Sequence, residues 1–485
     1  MDVCIFWNTV HYQHTGFFES VSFKVVFVPS SVQDYNWCGN EKKDKKNGED
    51  EILFLRGHVA TILYMPSRFV IRGGNPLGGD VTVSGAKNAV TPILAATLLI
   101  KGPCVLSNVP RLSDVERMLD ILRSLGASVE WKGEHDLVVD TTAADISSID
   151  AKAVKSMRSS VLLLGPLLSR FQEVSLPEPG GCNLGNRPVD THMYALGKLG
   201  AEVMCDKSGY TLRAKKLKGT KVVLPEFSVT ATENVIMAAV LAEGRTEVRL
   251  AASEPHVQDL CRFLVAAGAR IVGIGTHDLI IEGVKELHPV SHRIIPDQIE
   301  TGTFAVLGAF AKAPFLIHGV AEDQLDIILV ILQRAGVSYT LDGDTLTVFP
   351  SRASLTSFKL QTLPWPGFPT DLQAPFGVLA TQSRGTTLIH DPLYDGRFGY
   401  ITELCKMGAN ATVCDPHRVL VTGSTPLYGQ EITSLDLRAG ATLVIAALIA
   451  QGETVLHGIE VIDRGYEELD KRLTTLGADI KRITS

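Results

Sequence analysis

Several patterns that would assign a chain to a common class are missing here. The eight cysteines (Cys4, Cys38, Cys104, Cys182, Cys205, Cys261, Cys405 and Cys414) are scattered, with no CxxC pair and no Cys/His ligand spacing. That excludes the usual structural zinc patterns and points to reduced thiols in a cytoplasmic setting. Positive charge is not in excess: a formal net charge of -7 with intermixed signs provides no broad basic surface for nucleic acid, although a local arginine cluster could still hold a small anion. No apolar run reaches the roughly 20 residues of a membrane helix; the longest are 161–168 and 441–450. The chain also does not begin with the basic stretch, apolar core and small-residue cleavage site of a signal peptide.

What is present is length and apolar content. With 485 residues, nearly half of them apolar, two or more domains are expected and burial is not limiting. Residues 1–64 differ from the rest: aromatic and β-branched residues lead into a polar, charged run at 40–50, which reads as disordered. The expectation is a functional chain that starts at or near Met65, with the extension either a mis-called upstream start or a species-specific appendage.

From Met65 the chain repeats. A small-residue signature follows an amphipathic helical pattern six times, at LGASV (125–129), LGAEV (199–203), AGARI (267–271), AGVSY (335–339), MGANA (407–411) and LGADI (476–480). The spacing of about 70 residues marks a repeated structural unit. The glycine fits a left-handed C-terminal helix cap, and a β-branched strand follows it. Each unit also has an earlier helix that is apolar nearly all round, at 89–100, 159–168, 235–242, 302–311, 373–381 and 439–450, as helices inside a core are. Six units in two halves of three, divided near Ile295, form an α/β architecture.

The polar residues recur where the buried helices begin: Lys87 and Asn88, Arg158, Ser228 to Thr230, Asp297 and Glu300, Asp371, and Arg438. Cations at helix N-termini oppose the helix dipole, a cost that convergence on an anionic ligand would offset. Arg187, Arg397 and Arg464 add to the set. Any one of them alone is more often half of a structural ion pair; together they describe a positively lined cleft between two halves. The stretch 179–190, PGGCNLGNRPVD, places Cys182 in a glycine-rich turn five residues before Arg187. Positive charge beside an exposed thiol lowers its pKa and makes it usable as a nucleophile or proton donor. A surface turn around a buried, inert cysteine is the competing reading.

The stretches SGAKNA, MRSS, PGGCNLGNRPVD, PDQIETGTF, FPTDLQA, GRF, DLRAGA and IDRGYE are spread over all six units. On them, the chain from Met65 onward resembles the UDP-N-acetylglucosamine 1-carboxyvinyltransferases, a family of enolpyruvyl transferases of peptidoglycan synthesis, linked to cell-wall biogenesis and cell division and targeted by fosfomycin. The resemblance implies two inverse α/β barrel domains, each of three βαβαββ units, with the active site in the cleft between them. Residues 65–86 with 296–485 would form one domain, and 87–295 the other, carrying the loop 179–190.

The resemblance also implies roles. Cys182 matches the general acid that forms an adduct with phosphoenolpyruvate. Lys87, Arg187, Arg397, Arg438 and Arg464 match the basic residues around that substrate's phosphate and carboxylate, and Asp371 matches the aspartate beside the sugar 3-hydroxyl. Asn88, Arg158, Arg187, Pro188, Val189, Asp190, Thr191, His192, Ser228, Val229 and Leu393 match positions that hold the sugar nucleotide. Two departures stand out: Glu226 and Thr230 occupy positions where some members carry Lys and Gly. MRSS in place of MRAS is minor.

The implied partners are two small molecules, phosphoenolpyruvate and UDP-N-acetylglucosamine, with no metal, cofactor, nucleic acid or membrane. The implied chemistry is addition followed by elimination, with Asp371 as base and Cys182 as acid. A related transferase acting on shikimate 3-phosphate shares the repeats but lacks the PGGC cysteine. A non-catalytic nucleotide-sugar-binding paralogue would have no need of Lys87, Cys182, Asp371 and Arg464 together.

Overall fold

The computed structural model describes residues 5–14, 17–26, 67–178, 180, 189–207 and 209–484. The chain divides into two compact units, 1–65 with 485, and 66–484. In the first, strands Ile5–His14 and Phe17–Val26 pair antiparallel, from Ile5 opposite Val26 to His14 opposite Phe17. All other elements belong to the second.

Six helices form the interior: α1 Lys87–Ala96, α2 Leu164–Phe171 (continuing a 3₁₀ turn, Arg158–Leu163), α3 Val229–Ala239, α4 Gln298–Ala309, α5 Gln373–Gln382 and α6 Leu437–Ile449. Every residue of α4 and α5 is buried. A helix apolar on all sides has no solvent face, so each must be covered all round. The first three lie in one hydrophobic core built from residues 86–294, and the last three in a second built from 69–83 and 299–480. Close approach of α2 and α3 depends on Gly165, where an added Cβ would meet the Asn234 carbonyl oxygen at 2.4 Å. Asn234 then braces the contact, accepting from the Gly165 N–H at 2.6 Å and donating to the Val161 carbonyl at 3.0 Å.

Six sheets cover these helices, three to each core, so the layers are inverted relative to a barrel with helices outside. Five sheets have four strands and one, of Glu173–Leu176, Gly209–Arg213 and Glu202–Asp206, has three. In each four-stranded sheet one edge pair is parallel and the other pairs are antiparallel. The first strands of this unit complete sheets of the C-terminal half: Arg68–Arg72 pairs with Glu453–His457 and Asp479–Ile483, and Gly79–Thr82 with Phe315–His318. The chain therefore crosses between the halves twice, and the crossings lie side by side: the Ala86 N–H donates to the Ile295 carbonyl at 2.8 Å and the Asp297 N–H to the Ser84 carbonyl at 2.9 Å.

Six partly exposed helices end on the repeated small-residue signature: Ser113–Ser124, Asp190–Lys198, Pro255–Ala266, Asp326–Arg334, Gly399–Lys406 and Leu469–Thr475. Gly126, Gly200, Gly268, Gly336, Gly408 and Gly477 follow them with φ of 94°, 99°, 107°, 85°, 102° and 97°. In each, the N–H after the glycine donates to the carbonyl five residues back, as Ala127 does to Leu122 at 3.0 Å and Ala478 to Leu473 at 3.0 Å. That bond and the left-handed glycine define the Schellman cap.

The inner helices begin earlier than their apolar runs. The apolar pattern places starts at 235, 302 and 439, whereas α3, α4 and α6 start at Val229, Gln298 and Leu437. The first turns are polar because Ser228, Asp297 and Asp436 cap them: Asp297 accepts from the Ile299 N–H at 2.8 Å and Asp436 from the Arg438 N–H at 2.8 Å. Capping oxygens satisfy N–H groups that no helical carbonyl can reach.

Candidate active site

The N-terminal ends of inner helices from both cores open onto one cavity of about 470 Å³. Of the site residues expected from sequence, Lys87, Asn88, Arg158, His192, Ser228, Val229, Asp371, Leu393, Arg397, Arg438 and Arg464 line it. Val189, Asp190 and Thr191 do not: Val189 is buried just before the helix Asp190–Lys198, Asp190 is exposed, and Thr191 is buried in its first turn. Cys182, Arg187 and Pro188 lie outside the described residues, as does most of the loop 179–190.

Two carboxylates, one buried and one partly exposed, organise the cations. Asp114, in the first turn of Ser113–Ser124, is 1% exposed; its Oδ2 is 2.6 Å from Lys87 Nζ, and its Oδ1 is 3.0 Å from Arg464 Nε and 3.2 Å from Arg117 Nη1. Burial alone would raise the Asp114 pKa, but Lys87 and Arg464 carry it below the ordinary aspartate value. Lys87 is pushed down by burial and by Arg438 and Arg464, with Asp114 opposing. We take the cluster as ionised, since three cations surround the one carboxylate.

The second carboxylate is Asp371, in the 3₁₀ turn Thr370–Leu372. Arg397 Nη2 lies 3.1 Å from its Oδ1, and Arg438 Nε donates to Oδ2 at 3.3 Å. Arg438 is held over the Tyr466 ring at 5.4 Å and lies 3.9 Å from Asp297. Burial raises the Asp297 pKa, Glu300 adds to that, and Arg438 opposes it. Arg438 Nη1 and Arg397 Nε are buried donors that no described protein group accepts from. Donors of this kind need a reason, and a ligand anion is one. Leu393 enters the wall because its N–H donates to buried Asp391 at 3.1 Å; Asp391 also accepts from Thr362 Oγ1 at 2.7 Å and Thr370 Oγ1 at 2.5 Å.

Along the wall that Glu226, His192 and Thr230 contribute, polar groups are tied to one another. Thr191 Oγ1 donates to Glu226 Oε1 at 2.7 Å, and His192 Nε2 lies 2.8 Å from Thr230 Oγ1. Burial, helped by the Arg158 charge, pushes the His192 pKa down to about 4, so the imidazole is neutral at physiological pH. Ser228 caps α3, accepting from the Ala231 N–H at 3.4 Å.

Asp114, Glu233, Glu254 and His256 also line the cavity without having been read as site residues. Asp114 carries a signal in the sequence, since it shares a helix face with Met118 and Ile121, both buried, and a charge on a buried face needs partners. Glu233 sits inside the all-round buried α3, and there the apolar pattern conceals it.

Chemically, the arrangement is a cleft between two halves that presents fixed cations and a carboxylate to a small polyanion. The family model described as EPSP synthase (3-phosphoshikimate 1-carboxyvinyltransferase) matches residues 71–473. The UDP-N-acetylglucosamine 1-carboxyvinyltransferase 1 of Carboxydothermus hydrogenoformans is 44% identical over 417 residues, 86% of this chain and 98% of that protein. The UDP-N-acetylglucosamine 1-carboxyvinyltransferase of Bradyrhizobium diazoefficiens is 42% identical over 426 residues, 86% and 98% of the two chains. Among solved structures, the enolpyruvyl transferase NikO from Streptomyces tendae superposes with a TM-score of 0.80 at 27% identity, over 87% of this chain and 100% of that one. An EPSP synthase from Acinetobacter baumannii, with a TM-score of 0.67 at 19% identity over 86% and 100% of the two chains, shares the fold.

Proposed function

The chain belongs to the enolpyruvyl transferase family, and from that premise we propose that it transfers the enolpyruvyl group of phosphoenolpyruvate to the 3-hydroxyl of UDP-N-acetylglucosamine, releasing phosphate. The observation that carries the reading is the convergence of Lys87, Arg397, Arg438 and Arg464 with Asp371 on one cavity drawn from both halves, in a chain 44% identical to a relative named for this reaction.

Phosphoenolpyruvate carries its phosphate and its carboxylate on the same carbon, C2. The four cations offset both, and in a water-poor cleft they count for more than in bulk solvent. In the addition step the sugar 3-oxygen bonds to C2 of phosphoenolpyruvate, Asp371 takes the hydroxyl proton, and Cys182 gives a proton to C3. In the elimination step the bond from C2 to the phosphate oxygen breaks, a C3 proton passes to the Cys182 thiolate left by the addition, the double bond re-forms, and the proton held by Asp371 leaves with the phosphate. Arg397 and Arg438 position Asp371, since each contacts one of its oxygens. Arg158, Ser228, Val229 and Leu393 hold the nucleotide part, with His192 as a neutral hydrogen-bonding group. A cytoplasmic setting fits the five described cysteines, all of which are free thiols. As the first committed step of peptidoglycan synthesis, the reaction would serve cell-wall growth and division.

Phosphate release measured with phosphoenolpyruvate and either UDP-N-acetylglucosamine or shikimate 3-phosphate tests the assignment. Release only with the nucleotide sugar is expected; release only with shikimate 3-phosphate, or with neither, overturns it.

A further inference from the structure

Granted UDP-N-acetylglucosamine as acceptor, the reading on which this step rests, we infer that Glu226 reads the ribose of the nucleotide sugar, its carboxylate accepting hydrogen bonds from the 2′,3′-diol. Glu226 lines the same cavity as Ser228, Val229, Asp371 and Arg438. Its Oε1 is fixed by the Thr191 hydroxyl at 2.7 Å, and among the described residues Oε2 has no hydrogen-bond partner. The contact between His192 and Thr230, at 2.8 Å, ties the same loop to the same helix turn a second time. Glu226 is exposed, and the bond from Thr191 orients its carboxylate before any ligand arrives, which lowers part of the ordering cost of binding.

The sign of the charge narrows what Glu226 can touch. A carboxylate repels a diphosphate, so that group must lie nearer the cationic side chains, and Arg158 is one of those that line the cavity. A carboxylate accepts hydrogen bonds and cannot donate them. On the nucleoside the remaining donors are the single imide N–H and the ribose hydroxyls, and a vicinal diol is the donor set that matches two carboxylate oxygens, as acidic residues do in dinucleotide sites. Phe227, 42% exposed and set edge-on to His277 at 4.9 Å, offers an apolar ring beside it for the pyrimidine. A lysine at position 226, as some members of the family carry, would approach the phosphates instead, so this chain reads its nucleotide by a different contact.

The test compares UDP-N-acetylglucosamine with its 2′-deoxyribose analogue in wild type, Glu226→Ala, Glu226→Gln and Thr191→Val. Wild type is expected to prefer the ribose substrate by about tenfold or more in kcat/KM, because a site built for a hydroxyl leaves a polar group unpaired with the analogue. In Glu226→Ala the ratio should fall to near one, through a higher KM for the ribose substrate, with the KM for phosphoenolpyruvate unmoved. Glu226→Gln, which keeps an acceptor, should retain part of the ratio. Thr191→Val, which frees the carboxylate without removing it, should lower the ratio less than Glu226→Ala does. A ratio unchanged in Glu226→Ala removes Glu226 from ribose recognition and leaves the reaction standing. Absence of phosphate release from wild type with the ribose substrate sinks the reaction itself and this role with it.

Discussion

Asp114 and Arg464 meet from opposite halves of the molecule, Arg464 Nε donating to Asp114 Oδ1 at 3.0 Å and Nη2 to Oδ2 at 3.4 Å. The same carboxylate holds Lys87. One buried side chain thus fixes two of the cations assigned to phosphoenolpyruvate, and nearby the Arg111 N–H also bridges the halves to Glu467 at 3.1 Å.

Asp114→Asn removes the counter-charge while leaving Lys87 and Arg464 in place. Breaking a buried pair from one side costs about 3 kcal/mol or more, so the unfolding midpoint in urea should drop by that equivalent. The KM for phosphoenolpyruvate should rise by about tenfold or more, since both cations lose their orientation. The pH dependence follows from the depressed folded-state pKa of Asp114. Its contribution is present above the ordinary aspartate range and is lost as pH falls through the folded value, so wild type and variant should converge in stability at acid pH. An equal difference at all pH values would show that the charge of Asp114 is not what matters.

Glu233 has the opposite sign. Burial, with the Glu254 charge adding to it, raises its pKa well above the ordinary glutamate value. In the unfolded chain it ionises first, so the native state loses stability as pH rises from the ordinary glutamate value toward the folded one. Glu233→Gln resembles the protonated acid and should match wild type at about pH 4 and become the more stable of the two toward about pH 8. Chemical denaturation at both pH values checks it, and a variant less stable than wild type at the higher pH would mean that Glu233 is ionised and paired in the fold.

These two residues also show where the sequence says less than the structure. The Schellman glycines and the all-apolar helices were legible because each is a local pattern: a left-handed φ favours glycine within one turn, and a helix with no polar face has one place to go. The convergence of Lys87, Arg158, Asp371 and Arg438 was legible because charge at the start of a buried helix is costly. Asp114 is marked in the sequence only as a charge on a buried helix face, which calls for partners without saying that two of them, Lys87 and Arg464, come from distant segments, and Glu233 is concealed by the apolar pattern of α3. For residues 189–192 the pattern marks the stretch and not each side chain: helical geometry turns successive residues about 100° apart, so that His192 lines the cavity while Thr191 reaches its wall through the hydrogen bond to Glu226.

Residues 65–485 alone should carry the activity. Every described residue that lines the cavity falls within 86–464, and residues 66–484 make a compact unit of their own. The truncated chain is expected to melt within about 2 °C of the full chain's main transition, the range of a change well under 1 kcal/mol, and to release phosphate at the same rate. Insolubility, or a lost turnover, would give the first 64 residues a role.

Cys182 should be the thiol that fosfomycin alkylates. Two of its competitors are excluded by burial, which pushes the thiols of Cys104 and Cys261 up to about 12 and leaves them without the thiolate that reacts. Cys205, Cys405 and Cys414 are exposed, but none of them lines the cationic cavity. An epoxide phosphonate, with a charge like that of phosphoenolpyruvate, is drawn to Lys87, Arg397, Arg438 and Arg464, so a thiol that reaches that cavity, the role proposed for Cys182, would meet it at the highest local concentration. Cys182→Ser should abolish the adduct and nearly all turnover, because a hydroxyl is a far weaker acid than a thiol. Cys182→Asp restores a proton donor that this epoxide does not trap, and should keep activity while resisting the inhibitor. Intact-mass spectrometry alongside phosphate release decides the point: an adduct that persists in Cys182→Ser, or full turnover in that variant, would take Cys182 out of the mechanism and leave proton delivery to C3 to another group in the cleft.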